Sequence, residues 1–80
     1  MGIQALSPIT IRLKQFREER QLSQAELARR SGVPQSTISR IEAGDTGSIS
    51  LANLERLAEA LGVNAALLIV HEPDKDKRGR

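Results

Sequence analysis

Residues 22–44 read Leu-Ser-Gln-Ala-Glu-Leu-Ala-Arg-Arg-Ser-Gly-Val-Pro-Gln-Ser-Thr-Ile-Ser-Arg-Ile-Glu-Ala-Gly. The polar side chains of the second half can hydrogen-bond, but they hold no nucleophile with its base. On a helical wheel of about 100° per residue with Ile38 and Ile41 inward, Ser36, Arg40 and Ala43 point the other way. Ser39 lies on the flank and Gln35 at the N-terminal end. A glutamine amide can bond adenine through two atoms, and a guanidinium can bond guanine O6 and N7 through two; serine hydroxyls discriminate less. The chemistry on offer is hydrogen bonding to a flat polar edge, two-point from Gln35 and Arg40 and one-point from Ser36 and, more weakly, Ser39.

The elements that must hold this face are legible around it. Ser7-Pro8 reads as a helix start, and Ile9, Leu13 and Phe16 follow at i, i+4, i+7, one face of a helix running to about Arg20. Gln21-Leu22 is a turn. Ser23 with Glu26 forms a capping box, and a second helix is expected over residues 24–31 with Leu27 and Ala28 inward. Gly32 suits a sharp turn at positive φ. A third helix is expected over residues 34–43, with proline in its first turn and Gly44 at its end. After a polar loop, residues 45–48, Ser50 caps a fourth helix over 51–61 whose inner stripe is Leu51, Leu54, Leu57, Ala58 and Leu61; Gly62 closes it. Residues 65–71 have two readings. Asn64 could cap a short fifth helix over 65–70, or residues 67–71 form a β-strand, favoured by Ile69, Val70 and Pro73. A lone strand is unstable, so it is expected to pair with its counterpart in a second subunit. Residues 73–80 are expected to form a disordered charged tail.

Eighty residues make one small domain, here 1–72, for which dimerisation would add stability. Net charge is only +2, but it is unevenly spread. Residues 1–40 hold seven Lys/Arg against Glu18, Glu19 and Glu26, net +4; residues 41–72 are net −4; residues 73–80 are net +2. A protein that faces phosphates with one side shows this polarity. No cysteine is present, so neither a disulfide nor a thiolate metal site is expected. His71 has no partners for a metal site, and neither a glycine-rich phosphate loop nor an acid pair set for a cleft is visible, so no enzyme and no cofactor are expected. Phe16 is the only aromatic residue and is needed inside, which argues against RNA stacking. The N-terminus lacks a signal-peptide pattern, and the longest apolar run, residues 65–70, is too short for a bilayer. A cytoplasmic location without membrane attachment is expected.

Leu22-Ser23-Gln24, Leu27-Ala28, Gly32 and Ile38-Ser39-x-x-Glu42-x-Gly44 couple several residue types at fixed offsets. In this the chain resembles the phage repressor and Cro family, also called the xenobiotic-response-element (XRE) family, over roughly residues 9–63. The resemblance implies an all-α, compact four- to five-helix lambda-repressor-like DNA-binding domain with its helix-turn-helix core at 23–44. The short strand after the helices would pair across a dimer. It implies that residues 34–43 enter the major groove, with base contacts from Gln35, Ser36 and Arg40. It implies that Gln24, at the positive end of the second helix, bonds a phosphate, and that Arg17 pairs with Glu42 and is oriented at the DNA backbone. Thr37 is expected beside the backbone, and Thr46 and Ser48 in the following loop are candidates for backbone contacts. In place of the capping serine that many relatives carry at the start of the recognition helix stands Pro34, and the loop after that helix is about a residue longer than usual.

One recognition helix reads only a few base pairs. A homodimer on an inverted repeat of double-stranded DNA would set two of them about 34 Å apart, joined through helix 51–61 and residues 65–71. The expected function is that of a transcriptional regulator, a repressor. The alternative is an antitoxin or accessory protein whose main partner is another protein and whose DNA binding is autoregulation; a restriction–modification controller protein is a third candidate of matching size.

Overall fold

The computed structural model describes residues 9–47 and 49–71. A strand β1 (Ile9–Ile11) leads into helices α1 (Leu13–Glu19), α2 (Gln24–Ser31), α3 (Gln35–Glu42) and α4 (Leu51–Leu61), then a 3₁₀ turn (Ala65–Leu67) and a strand β2 (Ile69–His71). One core serves all of them. Leu13, Leu22, Leu27, Val33, Ile38, Ile41, Leu54, Leu57, Ala58, Leu61 and Leu68 are buried together with Ile11, and Phe16 and Ala28 pack at the margin.

The second and fourth helices begin and end where their caps dictate. Ser23 Oγ accepts the Glu26 N–H at 3.0 Å, and the Glu26 carboxylate accepts the Ser23 N–H at 2.9 Å. Ser50 Oγ accepts the Asn53 N–H at 3.0 Å and opens α4. Gly32 closes α2 in the left-handed region at φ 79°, its N–H donating to the Ala28 carbonyl; a side chain there would carry a steric cost.

Both ends of the domain depart from expectation. The helix expected from Ser7-Pro8 begins only at Leu13, and residues 9–11 are extended. Ser7 and Pro8 lie outside the described residues, as does the expected tail 73–80. Ile-Thr-Ile is β-branched throughout and strand-prone, and a partner strand is at hand. β1 and β2 run antiparallel with Ile9 opposite His71, Thr10 opposite Val70 and Ile11 opposite Ile69. The C-terminal strand thus finds a partner inside its own chain rather than first needing a second subunit. Both readings of residues 65–71 hold in part. Asn64 accepts the Ala66 N–H and opens a single 3₁₀ turn, and the strand follows it. Leu51, expected inward, is 69% exposed, because it is the first residue of α4 and lies beyond the core.

A buried ion pair ties α1 to the end of α3. The Arg17 guanidinium donates from Nε to Glu42 Oε2 at 2.7 Å and from Nη2 to Oε1 at 2.8 Å, while Nη1 donates to the Leu22 carbonyl at 2.8 Å. The two side chains are only 11% and 5% exposed. Gln24 Nε2 adds a bond to Glu42 Oε1 at 2.9 Å, so the carboxylate also holds the start of α2. Burial pushes the Glu42 carboxyl up, but the Arg17 and Gln24 hydrogen bonds and the Arg17 charge outweigh it and hold it below the usual range. Bonded to Glu42, Arg17 is pushed up further and stays charged. At the back of the domain Arg20 Nε donates to the Leu61 carbonyl at 2.6 Å, and its guanidinium lies 5.4 Å from the centre of the Phe16 ring.

Two outcomes follow for stability. Glu42→Ala strands a buried guanidinium and is expected to cost about 3–5 kcal/mol in denaturant unfolding. Because the folded carboxyl is held low, its contribution is complete above the ordinary glutamate range and disappears as pH falls through the folded value; Glu42→Gln is therefore expected to flatten the acid limb of stability against pH. Gly32→Ala meets no atom within 4 Å, so its cost is conformational alone, about 1–2 kcal/mol, and Gly32→Asn is expected to lose less.

Candidate nucleic-acid interface

α3 is an eight-residue wedge with two faces. Ile38 and Ile41 are 0% and 3% exposed and fix it against the core. Gln35, Ser36, Ser39 and Arg40 are all exposed, and Ala43 after them. Among the described residues none of those four polar side chains bonds to the rest of the chain, so their donors and acceptors are free for a ligand. Pro34 precedes the helix with extended backbone and caps it with no side chain. The helix begins there nonetheless, because the Pro34 carbonyl accepts from both Thr37 and Ile38.

The residues expected along a phosphate backbone are spread over α1, α2, α3 and the loop after it. Thr37 is half-buried on α3. Gln24, half-buried at the first position of α2, keeps its amide nitrogen on Glu42 at 2.9 Å. The α2 terminus beside it is already served by the capping box: the Ser23 backbone N–H holds the Glu26 carboxyl below its usual range. Arg17 is 9% exposed and engaged with Glu42 and the Leu22 carbonyl. Thr46 is half-buried in the loop after α3, where Gly44 turns at φ 102° and the Asp45 N–H donates back to the Arg40 carbonyl at 2.9 Å. Ser48 lies outside the described residues.

The structure thus gathers Arg17, Gln24 and Glu42 into one hydrogen-bonded cluster and presents Gln35, Ser36, Ser39 and Arg40 on one open face. Sequence reasoning missed the Gln24–Glu42 bond, the Leu22 carbonyl under Arg17 and the hold of Arg20 on Leu61. No local spacing signals contacts between residues 18 and 41 positions apart. Arg12, Lys14, Arg29 and Arg30 are exposed cations of α1, α2 and the segment before α1, and α4 exposes Glu55 and Glu59 with Arg56. Among the described residues no helix is long and apolar enough to cross a membrane.

Comparison with known proteins gives a consistent picture. The helix-turn-helix family model matches residues 13–68. The HTH-type transcriptional repressor RghR of Bacillus subtilis (strain 168) is 47% identical over 51 residues, 64% of this chain; the chain spans only 38% of that repressor's length. The restriction–modification controller protein C.AhdI from Aeromonas hydrophila superposes with a TM-score of 0.67 at 37% identity, over 71% of this chain and 85% of that one. SinR, a master regulator of biofilm formation from Bacillus subtilis, superposes equally well in two complexes, each at TM-score 0.67, 37% identity and 71% of this chain. One is with DNA, covering 90% of the SinR chain, and the other is with the protein SinI, covering 55%. A family match across more than half of the residues settles the affiliation: the chain belongs to the helix-turn-helix family of the phage repressor and Cro (XRE) type.

Proposed function

We propose that this protein is a sequence-specific regulator of transcription, a repressor, that inserts α3 into the major groove of double-stranded DNA. The observation that carries this reading is the unbonded outer face of α3, held rigid from behind by Ile38, Ile41 and the Arg17–Glu42 pair. Gln35, Ser36 and Arg40 read base edges, with Ser39 at the flank. Gln24, Thr37 and Thr46 run along the phosphates. Arg17 serves the backbone mainly through Glu42, which aims the Gln24 amide. A homodimer places two such wedges one duplex turn apart on an inverted repeat, its interface formed by α4 and residues 65–71, where Leu51 and Leu67 are exposed. The cytoplasm is the compartment that suits this role.

A second reading is favoured by the likeness to SinR in its complex with SinI: the chain acts with a protein partner, as an antitoxin or accessory protein does, and autoregulates. The likeness to a restriction–modification controller supports a regulator in either case.

Selection of random duplexes with the purified chain tests the reading in one step, since it returns the half-site, its symmetry and its spacing; recovery of no enriched sequence would overturn it. On the selected site Arg40→Ala is expected to cost about 1–3 kcal/mol and to relax preference at one base pair, whereas an equal loss on every sequence would make Arg40 a phosphate contact. Affinity is expected to fall steeply as salt rises from low to physiological levels; a flat titration would count against any DNA role.

A further inference from the structure

Two arginines near the end of α1 reach for different partners. Arg17 turns to Glu42 at the end of α3. Arg20 turns to the end of α4, where its Nε donates to the Leu61 carbonyl at 2.6 Å. Its Nη1 donates to the Phe16 carbonyl at 3.0 Å, and the guanidinium lies over the Phe16 ring. The negative ends of two helices, α1 and α4, thus converge on one cation. Gly62 and Val63 send their N–H groups to the Ala58 and Glu59 carbonyls, so among the described residues Arg20 alone serves Leu61.

The backbone beside Arg20 is strained. Gln21 stands at φ 57°, in the left-handed region, without being glycine. Such a conformation persists where its surroundings impose it. Leu22, on one side, donates its N–H to the Arg17 carbonyl and accepts from Arg17 Nη1. Arg20, on the other, is tied to Leu61.

We infer that Arg20 is a positioning residue: it fixes the end of α4, and the segment 62–71 that follows, at one angle to the outer face of α3, and so sets the separation of half-sites that the dimer accepts. This rests on the homodimer reading above, which puts the interface on α4 and residues 65–71. α1 packs on α3, while α4 packs mainly on α2 and the 3₁₀ turn, so the hydrogen bond that joins the end of α1 to the end of α4 comes from Arg20. The strands β1 and β2 tie the start of α1 to the same segment, but three-residue strands in a two-stranded sheet are marginal by themselves. A guanidinium plane can bond two carbonyls and stack on a ring at once; a lysine ammonium has no such plane. A two-fold axis doubles any tilt of one protomer, and successive base pairs lie only about 3.4 Å apart. A small swing at Leu61 is then enough to change the spacing that fits.

The test uses duplexes bearing the selected half-site either once or as an inverted repeat whose separation changes in single-base-pair steps. The unaltered chain is expected to favour one separation over its neighbours by about tenfold, since a misplaced half-site is reached only by twisting or bending the duplex. Arg20→Ala is expected to shrink that preference severalfold while binding the single half-site as before. Arg20→Lys keeps the charge without the fork and is expected to behave as Arg20→Ala does. Amide exchange in α3 is expected to stay unchanged in both variants, and that of Gly62 and Val63 to quicken. A full spacing preference in Arg20→Ala would overturn the inference and leave the homodimer standing. Recovery of the preference in Arg20→Lys would overturn it by making charge, not geometry, the cause. Equal losses on single and paired half-sites, or faster exchange throughout α3, would do so by making Arg20 a phosphate contact or a general support of the fold. An unaltered chain indifferent to separation would remove the homodimer reading along with it, a failure told apart from the others because it shows before any substitution is made.

Discussion

The Glu42 carboxylate is the point at which three segments distant in the sequence meet. Arg17 reaches it from α1 and Gln24 from the start of α2, while Glu42 itself is the last residue of α3. A bidentate guanidinium–carboxylate contact fixes direction as well as distance, so the two helices cannot rotate about each other without breaking two bonds at once. Removing a charge from water is costly unless it is paired, and here each partner is the reason the other can be buried. The outer face of α3 is presented at a defined angle because its far end is held in this way.

Holding α3 by its end and by two isoleucines leaves its remaining surface with no structural duty. Eight residues make little more than two turns, and a helix that short is not stable on its own. The segment exists as a helix because the core and the Glu42 cluster hold it. Its outward side chains can therefore be exchanged for other polar ones at small cost to the fold.

Much of the architecture could be read directly from the chain. The Ser23–Glu26 box and Gly32 bound α2, and Ser50 and Gly62 bound α4, because caps are local chemistry that a linear sequence displays. The open face of Gln35, Ser36, Ser39 and Arg40 follows from periodicity alone. Residues 9–11 were illegible for a different reason. Ile9, Leu13 and Phe16 satisfy a helical period, while Ile9 and Ile11 equally satisfy an alternating one, and only the presence of Ile69–His71 some sixty positions away decides between them. Leu51 misleads because helical phase shows direction but not where the core ends. Arg17 and Glu42 were tied together by family resemblance, but their shared dependence on Gln24 and the Leu22 carbonyl emerges only in three dimensions.

The strand pair that closes the domain joins the beginning of the described body to its end, so Ile9 and His71 are immediate neighbours. That contact spans the greatest separation along the chain and rests on few bonds, which places it among the last to form and the first to open. The chain therefore enters and leaves the described body through a single doorway, with residues 9 and 71 side by side.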